Sequence, residues 1–436
     1  MNELVITIPV LVIWLLVGVS LIGRQQQEEQ RWLWYSLLAH LASAFGIVLV
    51  TEFYYGGGDM FGYAHVGRFL ADKLRADFLG FAPDLLNMVF QLDRPFPVPG
   101  PQMGSNTGSM QALSAFIMLF CGDSLYAACV MIAGVNFLTK FGLYRSLRLQ
   151  LPELPVRTLA VPCLLVPSAV FWSSGLLKES IAVIGLGMLI YGGTLMAMAS
   201  RAGLGLLLVS AGATLVFLVK GYLLPPFGIG VGLWFLARAV LKQNENVLLR
   251  TRSLVLGTVI AVGLVVVTGA YLPQFSAETF ADEARAAQAV GARMNAGSNY
   301  TLGTGSMVSQ LPLGVVTVFF RPALFEVNSV MILLSALEMT WLTVLAVRAL
   351  FRRSITLNLR EVLKRPPLAF CLGFALTLSI GVGLTTANLG TLTRYRMPLM
   401  PFYATLLFVL AMRNDASVQT APGFGSAFPR QPSNAA

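Results

Sequence analysis

Charge is what this chain has least of. Asp, Glu, Lys and Arg together make up only 11% of its 436 residues, against 56% hydrophobic, and the mean hydropathy is +0.72. So little polar surface cannot coat the roughly three soluble domains that the length alone allows. Histidine is almost missing: His40 and His65 stand apart and form no ligand cluster. The four cysteines (Cys121, Cys129, Cys163, Cys371) lie in or beside apolar runs without CxxC or Cys/His spacing, so they read as small core residues rather than a zinc site or a disulfide framework. No collagen or coiled-coil period is present, and the wealth of apolar residues excludes disorder for most of the chain. What remains is an all-α, polytopic membrane protein. The 30 Lys+Arg against 20 Asp+Glu leave a charge of +10, which in such a protein serves topology and anionic lipid head groups, so a nucleic-acid partner is set aside.

The first apolar run, Leu4 to Gly23, has no basic segment before it and no small-x-small cleavage site after it, so it predicts a spanning helix rather than a signal peptide. Runs of spanning or near-spanning length follow at 32–53, 123–145, 157–172, 179–199, 203–219, 223–241, 253–272, 327–350, 367–388 and 397–412, eleven in all. Two shorter pieces, 108–121 and 311–325, suit re-entrant or interfacial segments. The expected fold therefore has about 11 to 13 transmembrane helices, residues 1–412 forming the membrane domain and 413–436 a disordered cytoplasmic tail.

Short-loop charge orients it. Between Arg348 and Arg365 stand six cations (Arg348, Arg352, Arg353, Arg360, Lys364, Arg365) and one acid, Glu361, which marks a cytoplasmic segment. Arg238, Lys242, Arg250 and Arg252 mark another, and Arg145, Arg148 and Arg157 a third. Placing these inside puts 54–111 and 273–325 on the outer face. Asp59, Lys178, Glu179, Lys220, Arg321, Glu326, Arg394 and Arg396 then all fall on that same side. Outer lysines and arginines run against the positive-inside tendency and are candidates for a site, although each taken singly also fits a snorkelling interface residue.

Three stretches carry most of the signal. In TEFYYGGGDMFGYAHVGRFLA (51–71), Gly56, Gly57 and Gly58 allow a tight turn after a helix. Asp59 closes the turn, either as a helix cap or as a functional carboxylate, with Tyr63 on its face if a helix starts there. Residues 66–92 alternate apolar and charged faces as a pair of amphipathic helices on the outer leaflet, followed by the proline-rich RPFPVPGP (94–101). In VPSAVFWSSGLLKES (166–180), Pro167 and Gly175 interrupt an apolar run ahead of Lys178 and Glu179. In TANLGTLTRYRMPLMPF (386–402), Arg394 and Arg396 flank Tyr395; arginine forks match phosphate oxygens, and an aromatic between them suits a lipid or sugar face. Arg321 of FRPALFE (320–326) adds a third arginine. Of the embedded acids Glu52 and Glu338, the latter is expected to pair with a polar group on a neighbouring helix.

A spanning helix, a long first outer loop with an early aspartate and amphipathic surface helices, then about ten further helices: this arrangement resembles the GT-C glycosyltransferases that use polyprenyl-phosphate sugars. FWSSGLLKES and NLGTLTRYRMPLMPF are also similar to segments of envelope-polysaccharide membrane proteins grouped with that superfamily. Two features depart from the pattern: Asp59 has no adjacent carboxylate, and one extra helix precedes the usual first one.

The resemblance implies transfer of a sugar from a polyprenyl-phosphate donor to a glycan or lipid acceptor on the outer face of a bacterial cytoplasmic membrane, beside other envelope-polysaccharide assembly proteins. It makes Asp59 the catalytic base, with Tyr63, Lys178, Glu179, Lys220, Arg321, Glu326, Arg394, Tyr395 and Arg396 lining the substrate site. A divalent metal at Asp59 is compatible with this chemistry and not demanded by it. A polymerase or ligase of lipid-linked polysaccharide and, from a different class, a lipid or solute transporter are the alternatives. Cysteines placed at positions 59 and 394 should react with an impermeant maleimide on intact cells; reaction only after permeabilisation would reverse the assigned orientation.

Overall fold

The computed structural model describes residues 3–92, 94, 96–98, 100–198, 201–241, 247–271, 286, 289 and 307–412. The expected tail, 413–436, and most of the second outer segment, 273–325, lie outside the described residues. Everything described is helical or connecting turn, and eight helices are long and apolar enough to cross a bilayer, as in a multi-pass membrane protein.

All eleven expected runs fall on helices, with two departures, but among the described residues only eight stretches reach spanning length, so the expected 11 to 13 transmembrane helices are not shown. Helices α1 (Glu3–Ile22), α2 (Gln27–Leu49), α6 (Leu125–Gln150), α9 (Lys178–Ala197), α12 (Val247–Tyr271), α14 (Val330–Arg352) and α16 (Pro366–Thr385) match one run each. The runs at 203–219 and 223–241 become α10 (Ala202–Lys220) and α11 (Leu224–Leu241), joined by one tight turn into a single apolar stretch of 40 residues. The run 157–172 does not span. It breaks into α7 (Val156–Leu164) and α8 (Pro167–Trp172), because Val166 is held extended ahead of Pro167. The last run yields only the 12 residues of α18 (Met400–Ala411). Both short pieces are short helices, α5 (Asn106–Phe120) and α13 (Met307–Phe320). The amphipathic pair is present as α3 (Asp59–Ala76) and α4 (Phe78–Val89). α15 (Ile355–Leu363) and α17 (Leu389–Tyr395) complete the set.

The amphipathic pair does not simply float on lipid. α3 lies so close to α5 that a Cβ at Gly67 would come 2.9 Å from Ser114 Cβ. The end of α4 is tied to α10, since Gln91 Nε2 donates to the Leu218 carbonyl at 2.8 Å. Its other face keeps Phe78, Leu79, Leu86 and Phe90 exposed, an apolar edge suited to the interface.

Broken α8 shows how an apolar bundle tolerates loose helix ends. Four N–H and four C=O groups at the two ends of a helix lack partners, and in hydrocarbon each such group costs several kcal/mol. Glu338 of α14 takes the N-terminal end, accepting from Ser168 N–H and Ser168 Oγ at 2.7 Å each. Lys140 of α6 takes the other, donating to the Ala169 carbonyl at 2.6 Å and Ser173 Oγ at 3.0 Å. An acid at the positive end and a base at the negative end complement the helix dipole. Glu338 thus has the structural partner expected of it, whereas Lys140 carried no sequence signal.

α9 and α10 form a hairpin with glycines facing each other at its seam. A Cβ on Gly185 would sit 2.8 Å from the Gly212 carbonyl, and one on Gly192 or Gly205 would sit 2.7 Å from the carbonyl of the other. Such small residues let transmembrane backbones approach closely. The seam sets the register that brings the start of α9 opposite the end of α10. Gly212→Val should therefore force the two helices apart and lower the apparent Tm of the purified protein in detergent. An unchanged Tm would mean that the seam is not under this constraint.

Candidate functional site

Where that hairpin opens, the first turn of α9 carries Glu179, 1% exposed. Its place near a helix N-terminus favours a carboxylate, but burial of an uncompensated ion would cost far more than the dipole returns. Two cations compensate it. Lys220, the last residue of α10, donates from Nζ to Oε1 at 2.8 Å. Arg394, near the end of α17, donates from Nη2 to Oε2 at 3.0 Å, and its Nε lies 2.9 Å from Oε1 as an ion-pair contact outside hydrogen-bond alignment.

The same Nη2 of Arg394 donates to Asp59 Oδ2 at 2.9 Å. One guanidinium therefore bridges a buried carboxylate and a second one, Asp59, whose side chain is 56% exposed. Local structure explains both positions. Gly56, Gly57 and Gly58 all take positive φ, turning the chain sharply between α2 and α3, so Asp59 starts α3 at the mouth of the cluster. Asp59 does not cap that helix: the cap position is Gly58, with no side-chain cap bond, and Asp59 Oδ2 accepts from Arg394 instead. α17 is only seven residues long and is started by Asn388, whose Oδ1 accepts from Gly390 N–H at 2.8 Å and Thr391 N–H at 3.2 Å. Burial works against the charge of Arg394, yet Glu179 and Asp59 outweigh it and hold the guanidinium more firmly protonated than usual.

Tyr63, one turn along α3, is buried. Its phenol is pushed well above the ordinary range, first by burial and then by the negative charges of Asp59 and Glu179, so it stays a neutral hydrogen-bonding group. Lys178 and Glu179 are adjacent in sequence but part company, because neighbours on a helix project about 100° apart. Lys178 Nζ donates to Thr107 Oγ1 at 2.7 Å and to Asn106 Oδ1 at 3.1 Å, and lies 6.0 Å from the centre of the Tyr63 ring. No carboxylate lies within ion-pair distance of it among the described residues. Lys220 sits between two aromatics, 4.4 Å from the centre of Tyr395 and 5.4 Å from that of Tyr222, and donates to the Tyr222 hydroxyl at 3.1 Å. The cluster thus holds Lys178, Lys220 and Arg394 against Asp59 and Glu179, one positive charge in excess.

The other three expected residues form a second group beside the first. Arg321 and Glu326 pair with each other, Nε donating to Oε1 at 2.7 Å, and Glu326 also accepts from the Ala323 N–H at 2.8 Å. Burial opposes the Glu326 charge, but the Arg321 bond and the Ala323 N–H prevail and hold this carboxyl below its usual range. Arg396 is wholly buried. Its guanidinium donates to the carbonyls of Val318 and Arg321 and to Ser335 Oγ at 2.8 Å. Expected as substrate-holding cations, Arg321 and Arg396 instead face protein groups: Arg321 is neutralised by Glu326, and Arg396 latches α17 to α13 and α14. Two arginines two residues apart, one in the last turn of α17 and one just past its end, therefore do different work, Arg394 at the open cluster and Arg396 behind it.

Sequence reading missed Tyr222, Asn106 and Thr107. Tyr222 stands two residues after Lys220 in an otherwise apolar stretch, a signal that could have been used; Asn106 and Thr107 had none. Among the described residues no three His, Cys, Asp or Glu side chains are grouped to hold a metal ion. No protein-family model, curated protein or solved structure matches the chain.

Removing Glu179 should be costly and partly reversible. Glu179→Leu leaves Lys220 buried without its carboxylate, at an expected cost of about 3–5 kcal/mol. The double variant with Lys220→Met should lose clearly less than the two single losses together, measured by thermal unfolding in detergent. Simple additivity would show that the pair is not coupled.

Proposed function

We propose that the chain is a membrane glycosyltransferase, moving a sugar from a polyprenyl-phosphate donor to a hydroxyl of a glycan or lipid acceptor at the extracytoplasmic face of a bacterial cytoplasmic membrane. The observation that carries this reading is the half-exposed carboxylate of Asp59, set by Arg394 against a buried Glu179 and Lys220 with one cation in excess. Two carboxylates in different environments have different uses. Glu179 is a fixed counter-charge. Asp59 has only Oδ2 engaged by Arg394 and offers Oδ1 to an acceptor hydroxyl.

In the proposed step the acceptor oxygen bonds to the anomeric carbon while its proton passes to Asp59. The bond from that carbon to the phosphate oxygen breaks with its electron pair leaving on the phosphate. The sugar centre goes through an oxocarbenium-like state, as in glycoside chemistry. Lys178 is the cation best placed to meet the phosphate, having only uncharged partners to release. Phosphate drawing on Arg394 would also loosen that arginine's hold on the Asp59 carboxylate as the donor arrives. The exposed apolar edge of α4 gives a prenyl chain a place to lie near the site. The basic segment 348–365 at the opposite end of the bundle supports an outer location through the charge bias of short loops.

A polymerase or ligase of lipid-linked polysaccharide would use these residues in the same roles and differ in the size of its acceptor. One observation favours a transporter, since discontinuous helices such as α7 and α8 often hold substrate. Both ends of α8 are already taken by Glu338 and Lys140, however, and the cavity beside Lys140 is about 30 Å³, room for little more than a water molecule.

Membrane vesicles carrying the full chain, given radiolabelled polyprenyl-phosphate sugars, should move label into a glycan or acceptor-lipid fraction. Asp59→Asn should reduce this to background at an equal amount of protein in the membrane. Arg394→Lys keeps the charge but loses the fork, and should slow transfer on the order of 100-fold, as for a lost preorganised donor. Wild-type transfer by Asp59→Asn would remove the base, and label crossing the bilayer unchanged would replace transfer by transport.

A further inference from the structure

The opposite end of the bundle holds a second built feature that the glycosyltransferase reading does not use. Ser335, against which Arg396 rests, and Arg352 lie 17 residues apart on α14, about 26 Å at 1.5 Å per residue. That is close to the thickness of the hydrocarbon layer, so Arg352 stands near the other membrane surface. There a cavity of about 360 Å³ opens, lined by Arg352, Arg353, Arg365 and Glu361 and by the apolar Val409, Leu410 and Met412.

Each polar group has a defined place. Arg352 Nη1 donates to the Ala411 carbonyl at 2.7 Å. Glu361 is shared, 3.6 Å from Arg353 Nη1 and 3.2 Å from Arg365 Nη2, and Arg365 Nε is 3.8 Å from Glu153. Three arginines against Glu361 and the more distant Glu153 leave one positive charge in excess. Asn358 fastens α15 beneath the end of α14, its Nδ2 donating to the carbonyls of Ala349 at 3.0 Å and Arg353 at 3.2 Å. So fastened, α15 leaves Ile355 and Leu359 exposed on one face, and Phe351 near the end of α14 is 87% exposed. An apolar edge flanked by arginines is the pattern of a helix lying in a membrane interface.

We propose that this cavity is a binding site for one anionic phospholipid, whose phosphodiester sits among Arg352, Arg353 and Arg365 while an acyl chain lies along Val409, Leu410 and Met412. Excess positive charge beside an apolar wall complements a negatively charged head group attached to hydrocarbon. A zwitterionic lipid supplies the same hydrocarbon without the net charge, and a free phosphate ion supplies charge without the hydrocarbon. Glu361 tempers the site by occupying two of the three guanidiniums.

Native mass spectrometry of the full-length protein, delipidated in detergent and titrated with dioleoyl phosphatidylglycerol or dioleoyl phosphatidylcholine, tests this. The first lipid should be retained at least five-fold more tightly. Arg353→Gln should weaken retention of phosphatidylglycerol about five-fold, and adding Arg365→Gln should weaken it by about the same factor again. Glu361→Gln, which frees Arg353 and leaves Arg365 only its longer contact with Glu153, should strengthen it. Arg353 is half-exposed, so its variant tests the site even if Arg365→Gln fails to fold. Equal retention of the two lipids, wild-type retention by Arg353→Gln, or displacement of bound phosphatidylglycerol by millimolar inorganic phosphate would each overturn the assignment.

Discussion

A single buried carboxylate organises this molecule. Glu179 cannot remain ionised in an apolar bundle without cations, and the two it has come from distant places, Lys220 at the end of α10 and Arg394 at the end of α17. Meeting that demand fixes the register of the α9–α10 hairpin, which its glycine seam permits, and fixes where α17 must lie. Asp59 is then positioned by electrostatics more than by packing, since the arginine that serves Glu179 has one more hydrogen bond to give.

The same economy runs through the rest of the bundle. With so few charges, nearly every buried one has an assigned partner, and several of those partners are helix ends. Glu338 and Lys140 hold the two ends of α8. Arg396 holds carbonyls at the end of α13, and Arg352 the carbonyl at the end of α18. Ionic side chains here stand in for the water that would otherwise satisfy a broken backbone. This is why a chain can afford interrupted helices such as α7 and α8 inside a membrane.

The two ends of the bundle differ in kind. At one, carboxylates and cations are nearly balanced around a half-exposed aspartate. At the other, arginines outnumber acids beside an apolar wall.

Much of the membrane architecture was legible in sequence, because runs of apolar residues long enough to span hydrocarbon have few other uses. Helix starts at Asp59 and Lys178 and the short lengths of α5 and α13 were also readable from polar breaks. The failures came where proline overrode hydropathy, as at Pro167, and where the last run gave a helix of only 12 residues. For the site, sequence picked out scarce ions beside apolar runs, and five of them, Arg394 included, share one cluster. It could not tell Arg394 from Arg396, or separate Lys178 from Glu179. Composition determined that charge would be rare and hydrocarbon the surrounding solvent. Only the tertiary structure decided which ions are neutralised by protein and which stay open, because a charge's partner is set by helix register and approach across hundreds of residues, which one-dimensional spacing does not record.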